Sequence, residues 1–157
     1  MEGFKLLNID FSSPNKIKKI ISDLDLDVII NCVGYTNVEN CEINPDQANI
    51  LNVEYPSVMA KISKELKIKF IHISTDHLFD GETKNYEEFS TLKPLNNYAK
   101  SKGDGEKEVL KYNKEALIIR TNFFGCGPTY KESFSDYIIN NLEKDNTISL
   151  FTDVNFN

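Results

Sequence analysis

The sequence predicts an α/β protein built on a doubly wound parallel sheet with helices on both faces, and three observations carry that expectation. Short runs of β-branched and apolar residues recur along the chain, as DVIINC at 27–32, FIHIS at 70–74 and ALIIRT at 116–121. They are too short for helices and apolar at nearly every position, as strands buried on both faces are. Between them lie longer stretches with apolar residues at three- and four-residue intervals, and strand alternating with helix implies a parallel sheet. No internal repeat or low-complexity linker divides the 157 residues, so a single domain is expected over 1–157.

Phe4 to Ile9 reads as a first short strand ending at Asp10. Ser12, Ser13 and Pro14 make a turn that starts a helix through about Leu24. Asp27 to Cys32 is the next strand. From Pro45 to about Leu66, residues Ala48, Leu51, Val58, Met59, Ile62 and Leu66 mark one face of an amphipathic helix, with Pro56 as a kink. Phe70 to Ser74 is a strand, and Asp76 to Asn97 a loop rich in acids and turn residues. A helix spans Tyr98 to about Tyr112, a strand Ala116 to Thr121, a last helix Glu132 to Leu142, and a short strand Ile148 to Phe151.

The composition narrows the function. Forty per cent hydrophobic residues suffice for a core, and a net charge of −6, with Arg120 the single arginine, gives no basic stripe for nucleic acid. Cys32, Cys41 and Cys126 form no C-x-x-C pair and, with only His72 and His77, show no metal-ligand spacing, so no metal is expected. Reduced thiols and the lack of any run of about 18 apolar residues point to a cytoplasmic protein away from the membrane.

The residues suited to chemistry lie where strands end. Tyr98 and Lys102 stand four apart on one helix face, an arrangement in which an ammonium stabilises a phenolate and brings the tyrosine toward useful acidity. The same pair also suits an exposed helix surface. Thr75 ends the FIHIS strand, at the edge where open α/β sheets bind ligands, although a Ser-Thr pair there serves equally as a cap. Cys32, Val33, Gly34, Tyr35 and Thr36 leave the DVIIN strand with small side chains and a glycine that lets a flat ligand approach the backbone. Asp10 and Phe11 offer an acceptor and a ring suited to adenine; both segments also read as plain strand-to-helix turns. His72 reads as a buried histidine, and Cys32 as packing.

Taken in order, Asp10-Phe11-Ser12, DVIINCVGYTNVENCE, Asn52, STDHLFDG, PLNNYAKSKGDGEK and IIRTNFFG resemble the extended short-chain dehydrogenases, and most closely the dTDP-4-dehydrorhamnose reductase family. The resemblance implies a Rossmann-like NAD(P)-binding domain and reduction of the C4 keto group of a nucleotide sugar by NADPH or NADH. It puts Thr75, Tyr98 and Lys102 at the catalytic positions. Asp10, Phe11, Cys32, Val33, Gly34, Tyr35, Thr36, Tyr98 and Lys102 fall at cofactor positions, and Thr75, Asp76 and Phe123 at substrate positions. Phe123 replaces a tryptophan, and His77 a tyrosine, common in the family.

The pattern also departs from the family. No glycine-rich phosphate loop occurs, and only nine residues precede Asp10, where the family has a strand, a glycine turn, a helix and a second strand. The resemblance is therefore to a partial domain lacking that N-terminal unit and the C-terminal sugar-binding part. Its DVIINC strand is expected to present an open edge, through which the chain pairs with a second copy or a complementing chain. The isolated chain is expected to turn over poorly; the alternative is a non-catalytic sugar-nucleotide-binding or regulatory module.

Overall fold

Three runs of β-branched residues pair in register at the centre of the molecule. The structure is a computed structural model and describes residues 6–11, 13–123, 125–127 and 132–150. Strands β1 (Val28–Asn31), β2 (Lys69–Thr75) and β3 (Leu117–Thr121) form one parallel sheet in the order β1-β2-β3. Ile29 lies opposite Phe70, Asn31 opposite His72, and His72 opposite Ile118. Side chains alternate along a strand, so Ile29, Asn31, Phe70, His72 and Ile118 share one face, and Val28, Ile30, Ile71, Leu117 and Ile119 the other.

Helices cover the first face. Ile17 and Ile21 of α1 (Pro14–Ser22), Met59 and Ile62 of α4 (Tyr55–Leu66) and Val109 of α5 (Asn97–Tyr112) close over Ile29 and Phe70 to make the main core. A smaller cluster joins Cys41 of α2 (Val38–Ile43), Ala48 of α3 (Pro45–Asn49) and Tyr98. Helix α6 (Phe134–Glu143) starts at a reciprocal cap between Ser133 and Asp136 and contributes no buried residue.

The predicted helix from Pro45 to Leu66 is interrupted rather than simply kinked. Between α3 and α4, Ile50–Glu54 forms a turn of π-helix, closed by the Tyr55 N–H donating to the Ile50 carbonyl five residues back. Pro56 explains it. In an α-helix residue 56 would donate to the carbonyl of Asn52, and proline has no N–H to give, so the ladder widens just before it.

Three expectations fail among the described residues. The segment predicted as a strand at Phe4–Ile9 has no strand over residues 6–9, where Leu6 is 99% exposed; Phe4 itself lies outside the described residues. No neighbouring strand is there to satisfy its backbone, and a lone strand has no ladder to hold it. The predicted strand at Ile148–Phe151 is likewise irregular over 148–150, with Phe151 outside the described residues. The helices expected on both faces pack on one, which leaves Ile30 58% and Leu117 54% exposed on the other. The remaining predicted strands and helices are present near their expected bounds, and α2 forms where none was predicted.

His72, on the covered face, is fully buried, and its Nδ1 accepts from Asn31 Nδ2 at 2.8 Å. Burial first, and the Lys102 charge second, lower its pKa to about 3. An unfolded histidine takes up its proton near 6.5, so the unfolded state binds more protons between about pH 6.5 and pH 3, and stability falls as pH drops through that window. Unfolding free energies from urea titrations between about pH 6.5 and pH 5, above the carboxylate range, are expected to decline with a slope approaching ~1.4 kcal/mol per pH unit, and His72→Gln to flatten most of it.

Candidate active site

The site gathers at the carboxyl end of β2, where Thr75 meets the first turn of α5. That turn is fixed from two sides. The Asn96 side chain accepts from the Ala99 N–H at 2.8 Å, and the Glu42 carboxylate, from α2, accepts from the Asn97 N–H at 2.6 Å and from Asn97 Nδ2 at 2.7 Å. A side-chain cap and an acid at a helix N-terminus both satisfy donors the helix leaves unpaired.

Tyr98 is thereby buried against Cys41 and Ala48, with the His77 ring edge-on at a centroid distance of 5.8 Å. Burial pushes its hydroxyl above the ordinary tyrosine pKa, the nearby Thr75 hydroxyl pulls the other way, and Asp76 and Cys41 push up further. Tyr98 is therefore a protonated phenol at neutral pH, in the state required of a general acid. Thr75 also lies 3.4 Å from Asp76 Oδ1 and accepts from the His77 N–H at 3.3 Å.

Lys102, one turn along α5, is buried, and its ammonium donates to the Ile73 carbonyl at 2.7 Å. Burial lowers its pKa to about 8, with Glu106 and Cys32 opposing. The expected stabilisation of a Tyr98 phenolate by Lys102 is not what sets Tyr98 here; Lys102 is spent on the strand carbonyl. Glu106 is held in place by Arg120 of β3, whose Nε lies 3.0 and 3.1 Å from the two carboxylate oxygens and whose Nη2 lies 2.7 Å from Oε2. Arg120 also donates to the Glu88 carbonyl at 2.9 Å and lies over the Phe79 ring, so it ties the 76–96 loop to α5. That loop is knit further by Asp80, which accepts from Tyr86 and, at 2.7 Å, from Lys93.

The loop after β1 runs beside Lys102. Cys32 and Val33 are exposed at the strand end, and Gly34 passes so closely that a Cβ there would lie 3.2 Å from Asn52 Oδ1 and 3.8 Å from Lys102 Nζ. Tyr35 is tied by both backbone groups to the Asn52 side chain. Thr36 is exposed. Phe11 stacks on Tyr55 at 4.4 Å, so one face of its ring is taken up within the protein, beside exposed Asp10. Phe123 is 79% exposed just past β3. The structure thus brings Thr75, Asp76, Tyr98 and Lys102 together, sets the 32–36 loop beside Lys102, and leaves Phe123 open to solvent.

Pattern reading passed over Glu42, Ser101, Glu106 and Gly105, and gave Asn52 no role of its own. One signal was available: glycines at 103 and 105 inside an amphipathic helix cost helix stability unless something must come close. A Cβ at Gly105 would meet the Asn52 carbonyl oxygen at 2.0 Å. Among the described residues no cluster of His, Cys, Asp and Glu is arranged to hold a metal, and no helix is long and apolar enough to cross a membrane.

Parallel strands joined by helical crossovers, with Thr75 ending one strand and Tyr98 and Lys102 on the helix that follows, define a Rossmann-like fold class. Within that class, the chain belongs to the RmlD substrate binding domain family, whose model matches residues 3–155. It is 36% identical over 152 residues to the probable low-salt glycan biosynthesis reductase Agl14 of Haloferax volcanii, covering 94% of this chain and 51% of that one. It is 36% identical over 104 residues to methionine adenosyltransferase 2 subunit beta of Xenopus laevis, covering 66% and 31%. The crystal structure of the Bacillus anthracis dTDP-4-dehydrorhamnose reductase in complex with NADP superposes with a TM-score of 0.78 at 28% identity, covering 88% of this chain and 49% of that one. The chain spans about half the length, or less, of the curated relatives it matches.

Removing Arg120 from its ion pair strands the buried Glu106 charge. Arg120→Met is expected to lower stability by on the order of 3 kcal/mol, and the double variant Arg120→Met with Glu106→Leu to recover much of that loss, both read from urea unfolding.

Proposed function

We propose that the chain carries the catalytic part of a nicotinamide-dependent 4-ketoreductase acting on a nucleotide sugar, of the dTDP-4-dehydrorhamnose reductase type. The observation that carries this reading is the Thr75 hydroxyl beside a buried, protonated Tyr98 at the end of a parallel strand, with charged Lys102 one turn away. The NADP bound by the Bacillus anthracis protein supports the choice of cofactor.

The residues here fit the nicotinamide end of such a cofactor. Gly34 lacks the side chain that would crowd Asn52 and Lys102, and the Lys102 ammonium beside it suits a ribose hydroxyl. Asp10 and Phe11 would take the adenine. NADPH or NADH, when bound, supplies the hydride. Thr75 and Tyr98 would both donate to the substrate carbonyl oxygen, holding it in place, and Tyr98 would give that oxygen its proton as the carbonyl carbon becomes a secondary alcohol. Asp76 and Phe123 would contact the sugar. The protein's place is the cytoplasm, where Cys32, Cys41 and Cys126 stay as free thiols.

The test is reduction of dTDP-4-dehydrorhamnose by NADPH and NADH with the full 157-residue chain. We expect weak turnover, a further loss of at least ~100-fold in Tyr98→Phe, and a rate that falls above about pH 8 as Lys102 loses its charge. Titrating the same ligands while following Thr75, Tyr98 and Lys102 by NMR reads binding where turnover is too slow. Tyr98→Phe as active as the parent, or no response of these residues to either ligand, would sink the reading.

The open sheet face favours a second reading, a non-catalytic binding or regulatory module that acts through a partner. β1 pairs only with β2 among the described residues, and the apolar side chains beside that edge face solvent. The relative named as an adenosyltransferase subunit supports this reading. It predicts association with a second copy or a complementing chain, seen as a mass that rises with concentration in light scattering; a strict monomer that also binds no nucleotide sugar would count against it.

A further inference from the structure

His77 stands where solvent meets the buried end of the site. Its side chain is 48% exposed, yet its ring lies edge-on to that of Tyr98, with centroids 5.8 Å apart and planes at 80°. The backbone beneath it is fixed, because the His77 N–H donates to Thr75 Oγ1 at 3.3 Å. Asp76 Oδ1 lies 3.9 Å from Nε2, a carboxylate placed to face the charge of a protonated ring.

Tyr98 has need of such a neighbour. A phenol that gives up its proton becomes a phenolate, and Tyr98, at 9% exposure, has little water around it to stabilise that anion or to restore the proton. Burial already holds its hydroxyl above the ordinary tyrosine range, so the anion is costly. Other groups nearby are poorly placed to supply the proton. The Lys102 ammonium donates to the Ile73 carbonyl at 2.7 Å, and the Cys41 thiol, pushed up by burial, is turned to the Tyr35 carbonyl at 3.4 Å. An imidazole differs in kind: it takes up and releases protons near neutral pH, and its two nitrogens let it accept on one while donating from the other.

We propose that His77 is a proton relay, which returns a proton from solvent to the Tyr98 hydroxyl oxygen, directly or through one water, with Asp76 facing the charged ring. In the reduction described above, the hydride goes to the carbonyl carbon and the Tyr98 proton to the carbonyl oxygen. The phenolate left by breaking the Tyr98 O–H bond then takes a proton from a ring nitrogen of His77, and water replaces that proton on the ring. The relay itself moves no electrons. Its use in turnover rests on the reductase reading, whereas the proton path is a property of the ligand-free chain.

Exchange of the Tyr98 hydroxyl proton with solvent tests it on the full ligand-free chain, read by NMR from the hydrogen–deuterium isotope shift on the Tyr98 Cζ resonance in mixed light and heavy water. A side chain that only covers Tyr98 slows this exchange, and one that carries its proton speeds it, so removing His77 separates the two by sign. Exchange is expected to slow by roughly tenfold in both His77→Ala and His77→Gln, and free imidazole added to His77→Ala to restore most of the rate. Should His77→Ala disturb the 76–96 loop, His77→Gln decides alone. Faster exchange in His77→Gln overturns the proposal by making His77 a cover. Unchanged exchange overturns it too, and leaves Thr75 and Asp76, 3.4 Å apart, as the route. Slowed exchange in a chain that binds neither NADPH nor NADH upholds the relay and counts only against the reductase reading.

Discussion

A missing hydrogen-bond donor organises much of this molecule. Pro56 cannot supply the N–H that an α-helix would place against the carbonyl of Asn52, and the helix widens by one residue over Ile50–Glu54. The widened turn frees a backbone oxygen toward α5 and sets the Asn52 amide between loop and helix. Helix α5 answers with a glycine at 105, which brings two helices closer than any side chain would allow. Tyr98 and Lys102 ride on that helix, so the placement of this pair is tied to a proline more than forty residues earlier in the chain.

The polar groups beneath the sheet form a graded set rather than a collection of separate pairs. Lys102 is charged yet buried, and it keeps its charge near neutrality because its ammonium has a carbonyl partner and Glu106 lies close behind. Glu106 in turn is held by the bidentate guanidinium of Arg120. Against this, His72 is kept neutral by its burial and by the Lys102 charge, and it spends its Nδ1 on Asn31. One cation with a compensating acid behind it and one neutral imidazole in front thus share the same buried surroundings. Low local polarity makes every member of such a set matter more than its counterpart at the surface.

Much of the fold was legible in the sequence, because strands buried within a sheet read as short apolar runs and amphipathic helices announce their faces. VIIN, FIHIS and LIIRT are all strands, and the α5 span is predicted almost to the residue. What failed had a common cause. A strand at residues 6–9 requires a neighbour, and cover on the second face requires other chain segments; a local apolar pattern states that a surface wants to be buried without saying what buries it. The candidate site was legible at Thr75, Tyr98 and Lys102, which the fold brings together at the end of β2. It was not legible at Glu42, Asn52 or Ser101, polar residues of ordinary composition whose meaning comes from partners 55, 17 and 49 positions away.

The bare side of the sheet also bears on how this chain behaves as matter. Val28, Ile30, Leu117 and Ile119 leave apolar side chains exposed on one face of the sheet, next to a β1 edge that pairs with no other strand among the described residues, with Lys69 beside Val28 as the nearby charge. Charged gatekeepers and covered edges are the usual protection against sheet-to-sheet adhesion, and among the described residues there is little of either. Unfolding and refolding then compete with clumping, so the practical lifetime of the folded form is governed by kinetics and concentration more than by its equilibrium stability.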